Sequence, residues 1–246
     1  MTRPDGRQNS QMREMTIKRQ FTKYAPGSVY ITCGDTHVLC TATIDDKVPR
    51  FLLGSGQGWV TAEYSLLPSS THTRVRREVE KGSVSGRTSE IQRLIGRSLR
   101  AAIDMRQLGE KSIYIDCDVI QADGGTRTTA ISGAMIALLD AVSFLKKTKE
   151  LKHNPIKEII LASSVGKVNG EICLDLCYEE DSQAQYDMNV VMTQSGQLIE
   201  VQGTAEKATF SKAELLTGLD YVELGLQPLF NTIAEQFSEL VPVAVG

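Results

Sequence analysis

Two stretches of this 246-residue chain share a pattern that could hold an anion. In GGTRTTAI and in SGRTSEIQ, glycine precedes an arginine and threonines just where a helical pattern begins. A glycine turn that opens a helix leaves N–H groups aimed outward at the positive end of the helix dipole. Arg127 in the first stretch and Arg87 in the second add a planar, permanently charged fork at that end. Neither stretch matches the GxxxxGK[ST] nucleotide loop, and each taken alone reads more simply as a turn with a surface arginine. Two in one chain suggest chemistry on phosphates.

A third feature is YEEDSQAQYDMN, in which Asp181 and Asp187 lie in the loop expected between two strands. Asp187 stands immediately ahead of an apolar strand, where a carboxylate can project into a cleft. Such a pair suits one hard cation with oxygen ligands, since magnesium takes one or two protein carboxylates and completes its shell with water and substrate phosphate. On spacing alone, a solvated acidic turn is the simpler reading. Asp116 and Asp118 are a rival pair; lying within a strand, they are expected to pair with arginines of the preceding helix. His37 reads as a packed or edge residue, and His72 as a residue of the arginine-rich loop in a position to contact a substrate, with no base identified for it to work with. GxSxG, HExxH and a supported Cys–His pair are missing, which argues against a protein nucleophile.

Charge distribution points the same way. The net charge is −3, yet between Arg74 and Arg100 eight basic residues stand against three acidic ones. That segment carries +5, and the remainder carries −8. A local basic stripe attracts phosphates even on an acidic protein.

The elements that must position these residues follow from periodicity. The segment 17–60 breaks into short apolar runs separated by Gly, Asp and Pro, which predicts an antiparallel meander with a hairpin at Gly34-Asp35. LPSSTHTRVRREVEKGSVSGRT is a long exposed loop of the kind that carries function. Ser89 and Gln92 fit a capping box, and Ile91, Leu94, Ile95, Leu99, Ala102 and Ile103 share one helical face. Arg93, Arg97 and Arg100 fall on another. Alternation over 113–119 predicts a strand. TTAISGAMIALLDAVSFL is apolar around its whole circumference and so must be a buried helix. Hairpins follow at Asn169-Gly170 and at 194–197, and Ser211 with Glu214 caps a C-terminal helix reaching to about Leu240.

The whole is an α+β arrangement, helices on mixed sheets, with no linker that splits the chain and only a weak hint of two similar halves. No apolar run reaches the roughly 20 residues of a membrane span, and the polar N-terminus lacks the apolar stretch of a secretory signal. The five cysteines sit in apolar runs without CxxC spacing and read as reduced core thiols. A cytoplasmic protein is expected.

Together, TRPDGRQNSQMRE, GSGQGWVTAEYSLLP, THTR, SGRTSEIQRLIGRSLRAAID, IDCDVIQADGGTRTTAISGA, EEDSQAQYDMNVVMT and IEVQGTAE resemble the motifs of the bacterial ribonuclease PH family, phosphate-dependent exoribonucleases that trim tRNA 3′ ends. The resemblance covers nearly all of the chain except its last thirty or so residues. It implies a ribosomal protein S5 domain 2-like α+β fold, residues 1–246 as a single catalytic domain, and a homo-oligomeric ring, commonly a hexamer built from dimers. Gly125, Thr126 and Arg127 would bind inorganic phosphate, with Arg87 as a second contact. Asp181 and Asp187 would hold Mg2+ and, with Arg127, serve catalysis. Arg74, Arg76 and Arg77 would meet RNA or a neighbouring subunit. Ser69 departs from the pattern, since family members often carry arginine there, which implies a weaker grip on tRNA. A metal-dependent hydrolytic nuclease and a non-catalytic RNA-binding ring subunit are the alternatives.

Overall fold

A computed structural model of the chain describes residues 3–205 and 208–241. Thr2 and Glu206, at the ends of two of the quoted motifs, lie outside the described residues.

β1 (Met15–Arg19), β2 (Gly27–Cys33) and β3 (Thr36–Asp45) form the expected antiparallel meander, the last two joined at Gly34-Asp35. β4 (Trp59–Leu66) does not continue it. A long loop and α1 (Gly86–Ala102) follow, then the short α2 (Met105–Leu108) and β5 (Ser112–Gln121), which inserts between β3 and β4. The first sheet therefore has the order β1-β2-β3-β5-β4, with β4 and β5 parallel. A parallel pair needs a crossover, and α1 supplies it.

α1 begins four residues before the expected capping box. Its cap is Ser85, whose Oγ accepts from Thr88 N at 3.2 Å, while Thr88 Oγ1 donates to Glu78 at 2.7 Å. Arg87 thus lies inside the first turn. The apolar face is as expected, with Ile91, Leu94, Ile95 and Leu99 buried.

The arginines of α1 do not pair with the carboxylates of β5. Arg100 lies over the Trp59 ring at 4.6 Å and donates to the Val60 carbonyl at 2.9 Å, and Arg97 bonds Glu200 at 2.9 Å. Strand alternation explains the difference: Ile113, Ile115 and Cys117 enter the core, so Asp116 and Asp118 project from the opposite face. There, burial and the nearby Glu63 and Asp118 charges push Asp116 above the usual carboxylate range. Asp118 is likewise raised by burial, with the Arg77 charge pulling the other way.

α3 (Thr126–Lys147) is the axis of the molecule, buried at every residue from Thr128 to Ser143. It is long and apolar enough to cross a membrane, contrary to the sequence reading, but its apolar surface is covered by β2, β3, β5, β6 and α1. Truncating a side chain such as the fully buried Leu138 costs about 2–5 kcal/mol. Asp140 is tolerated in it because Arg19 of β1 bonds its carboxylate while stacking over Phe237 at 3.9 Å.

The second sheet is antiparallel and has the order β7-β6-β8-β9. β6 (Ile160–Val168) and β7 (Glu171–Leu174) make the expected hairpin at Asn169-Gly170. Between β7 and β8 (Tyr186–Thr193) the chain forms a short helix, α4 (Tyr178–Gln183). β9 (Leu198–Thr204) closes the sheet, and α5 (Lys212–Gln236) packs on β6 and β7 behind the Ser211–Glu214 capping box. Cys33, Cys40, Cys117 and Cys173 are buried free thiols, and Cys177 is half-buried.

Candidate active site

The two ends that the sequence singled out open into one cleft. Gly124 and Gly125 turn the chain out of β5 with φ of +74° and +64°, values that favour glycine. No side-chain bond caps α3, so its first-turn N–H groups are left for a ligand. The turn is held from below by short bonds. Thr36 Oγ1 donates to the Gly124 carbonyl at 2.6 Å and accepts from Asp123 N at 2.9 Å. The buried Tyr64 hydroxyl donates to Thr126 Oγ1 at 2.9 Å.

Gly125, Thr126 and Arg127 line a cleft of about 450 Å³ together with Arg87, Asp181 and Asp187. Gly124, Thr71–Thr73, Ser164, Tyr178 and Asn189 are also part of its wall. A second hollow of about 370 Å³ shares Arg87, Arg127 and both aspartates, and continues to Glu90, Gln202 and Thr204. Arg127 Nη1 donates to Gln202 Oε1 at 2.9 Å, Gln202 Nε2 donates to Glu90, and Arg127 and Glu90 stand 3.9 Å apart.

The two aspartates stand on regular elements rather than in the expected loop. Asp181 belongs to α4, whose N-terminus is closed by Glu180 accepting from Cys177 N at 3.0 Å. Three carboxylates in its first turn suit the helix dipole. Asp187 lies within β8, paired in register with Gly166 on one side and Thr204 on the other. Burial, and then the Asp187 charge, push the Asp181 carboxyl above its ordinary range, while Arg87 and Arg127 pull it down. The site therefore places two like charges close together and sets two guanidinium groups against them.

Among the described residues no group of three or more His, Cys, Asp or Glu side chains could hold a metal. A cation here would have two carboxylates and would fill its shell from water and substrate. That donor set, hard and oxygen-only, fits magnesium.

The remaining expectations divide. Arg74, Arg76 and Arg77 are exposed and stand outside the cleft wall, as does the exposed Ser69. The loop is fastened beside them, because Ser70 is buried and its carbonyl accepts from Ala122 N at 2.8 Å. His72 does reach the cleft, its ring centroid 5.8 Å from that of the half-exposed Tyr178. His37 is a packed residue bonded to the Tyr30 hydroxyl at 2.9 Å.

Sequence reasoning missed Tyr64, Gln202 and Asn189. Gln202 lies in the IEVQGTAE stretch among other polar residues, where nothing in the local pattern marks it out. Tyr64 is an ordinary core aromatic by pattern, and only the fold shows what its hydroxyl meets.

Models of the 3′ exoribonuclease family match the chain twice, domain 1 at residues 11–143 and domain 2 at residues 158–221. Among solved structures, rice (Oryza sativa) Rrp46 is 18% identical, with 96% of this chain and 98% of that one covered and a TM-score of 0.73. The Archaeoglobus fulgidus exosome with RNA bound to its active site is 17% identical over 96% and 92%, with a TM-score of 0.78. An archaeal exosome core is 19% identical over 94% and 91%, with a TM-score of 0.74. At these identities the likeness is one of fold: the α+β, ribosomal protein S5 domain 2-like architecture expected from the sequence.

Proposed function

The chain belongs to the 3′ exoribonuclease family, and from that premise we propose that it is a phosphorolytic 3′-to-5′ exoribonuclease of the ribonuclease PH type. It uses inorganic phosphate to remove terminal nucleotides from tRNA precursors as nucleoside diphosphates. The observation that carries this reading is the gathering of Arg87, Gly125, Thr126, Arg127, Asp181 and Asp187 around one cleft.

The physical difficulty of the reaction is to bring two anions together while charge shifts onto a leaving 3′ oxygen. The uncapped end of α3 and the two guanidinium groups offset that repulsion and hold phosphate in line with the terminal phosphodiester. Asp181 and Asp187 would hold Mg2+, which when bound neutralises charge building on the leaving oxygen. No protein nucleophile is needed, because phosphate itself attacks. The bonds broken and formed are alike, so the reaction runs backwards when nucleoside diphosphate is high and phosphate low.

RNA entering toward the centre of a homo-oligomeric, hexameric ring extends the same reading. Its support is the likeness to exosome structures, one of them with RNA bound, together with the exposed Arg74, Arg76 and Arg77 beside the cleft. Free thiols suit a cytoplasmic setting.

The test is to incubate the protein with a 3′-tailed tRNA and magnesium, with and without phosphate, and identify the released nucleotide. Nucleoside diphosphate released only with phosphate is the expected result. Monophosphate released regardless of phosphate would mean hydrolysis, and RNA binding without release would mean a non-catalytic ring subunit.

A further inference from the structure

The N-terminal RPDGRQNSQMR stretch has no part in the cleft wall, yet its arginines reach behind it. Arg13 is buried and held by the equally buried Asp175, with Nη2 at 2.7 Å from Oδ1 and Nε at 2.9 Å from Oδ2. The Arg13 backbone N–H donates to the same carboxylate at 2.8 Å.

An ion pair that only held the fold together would stop there. The remaining donors of Arg13 go to both walls of the cleft. Nη1 donates to the Asp123 carbonyl at 2.5 Å and Nη2 to that of Gly124 at 3.4 Å, so the guanidinium grips the turn that opens α3. Nη2 also donates at 3.3 Å to the carbonyl of Leu176, in the segment that leads into α4 and Asp181. Asp175 is itself in the left-handed region, with φ +53°, and its N–H donates at 2.6 Å to the carbonyl of Ser164, a cleft residue.

The packing leaves no slack between these pieces. A Cβ at Gly124 would come within 2.5 Å of the Leu176 carbonyl oxygen, and one at Gly125 within 3.1 Å of Arg13 Nη2. Asp123 bridges the two walls a second time, its Oδ1 accepting from Tyr178 N at 3.2 Å. Moving the turn therefore moves the lead into α4.

We propose that Arg13, held by Asp175, is a positioning residue that sets the separation between the phosphate turn and the aspartate-bearing helix. The inference rests on the phosphorolytic reading for its consequences, and the geometry stands without it. A planar fork with several donors in fixed directions can meet carboxylate and carbonyls on two sides at once. A lysine ammonium keeps the charge but cannot span them.

The experiment compares the full-length wild type, Arg13→Lys and Asp123→Ala, each shown to be folded by circular dichroism. Calorimetric titrations use inorganic phosphate alone and magnesium chloride alone, alongside steady-state KM values for phosphate, magnesium and RNA. Arg13→Lys is expected to weaken both phosphate and magnesium binding about tenfold and to leave the RNA KM within about twofold, because sub-ångström misplacement is costly in a preorganised site. Asp123→Ala, a change at a partly exposed side chain, should move both constants in the same direction by about threefold.

A folded Arg13→Lys protein with a lower Tm but unchanged phosphate and magnesium constants would overturn the proposal, as would a shift in the phosphate constant alone. If Arg13→Lys does not fold, Asp123→Ala decides by the same two criteria. If the wild type releases no nucleotide with phosphate, the functional reading fails instead, and the two calorimetric constants still decide the positioning role.

Discussion

Arg127 Nη1 lies 2.9 Å from Gln202 Oε1. The guanidinium at the head of the buried helix α3 is thus held by a side chain from β9, the last strand of the other sheet. That bond joins the two halves of the molecule at the anion site. It also fixes a long side chain that would otherwise be free to sample many rotamers. Gln202→Ala removes the partner without touching the cradle. The expected outcome is a rise of about tenfold in the KM for phosphate, the equivalent of one hydrogen bond to a charged group, with kcat changed less. Initial rates across a phosphate series check it.

Arg127→Ala and Arg87→Ala remove the charges themselves. Each is expected to lower phosphate-dependent turnover by about 10²–10³, the scale of losing one preorganised donor to a reacting anion. Binding of the RNA, measured by gel shift in the absence of phosphate, should persist in both variants. Equal loss of binding and turnover would place these arginines on RNA instead.

Several carboxyls lie below their ordinary range, and three of them show the consequence for acid stability. Bonding to Lys167, then to the Ser211 backbone and hydroxyl, holds Glu214 down at about 2. Burial works to raise Asp175 and Glu180, but the bonds and charges of Arg13 and Arg3 outweigh it, and both lie below the ordinary range. A folded-state value below the unfolded one contributes stability that is present above the unfolded value and is lost as pH falls through the folded one. The Tm should therefore hold from neutrality to about pH 5 and decline steeply below about pH 4, the ordinary carboxyl range. Glu214→Gln should flatten that decline between about pH 4.5 and 2, which thermal melts across an acid series would show.

Much of this site is legible in the amino-acid sequence. GGTR, GRT and the two aspartates announce themselves because the chemistry of an anion pocket demands glycine, arginine and carboxylate at turns and helix ends. The alternation of β5 and the apolar girth of α3 were equally plain. The sequence misled where local pattern competes with a longer-range partner. EICLDLCY reads as one strand, but β7 stops at Leu174 because Asp175 turns left-handed to meet Arg13, 162 residues away. YEEDSQ reads as a loop because it is short and acidic, yet capping by Glu180 makes it helical. Asp116 and Asp118 were expected to pair with arginines of the neighbouring helix, but the core takes the Ile113, Ile115 and Cys117 face of β5, and the carboxylates are left on the other.

Gly124 concentrates these constraints in one position. Its φ of +74° disfavours any L side chain, and a Cβ would fall 2.5 Å from the Leu176 oxygen and 2.7 Å from the Cys177 carbonyl carbon. Gly124→Ala must then either strain the turn or push the lead into α4 away from it. The strain alone costs about 1–3 kcal/mol, which at this chain length lowers the Tm by several degrees. If the protein instead relieves the clash by moving α4, the stability cost shrinks while Asp181 leaves its place opposite Arg127. Activity then falls more than the Tm implies. Measuring both on one preparation separates the two responses, since a variant with wild-type turnover and wild-type Tm would mean that the turn and the helix are not in contact at all.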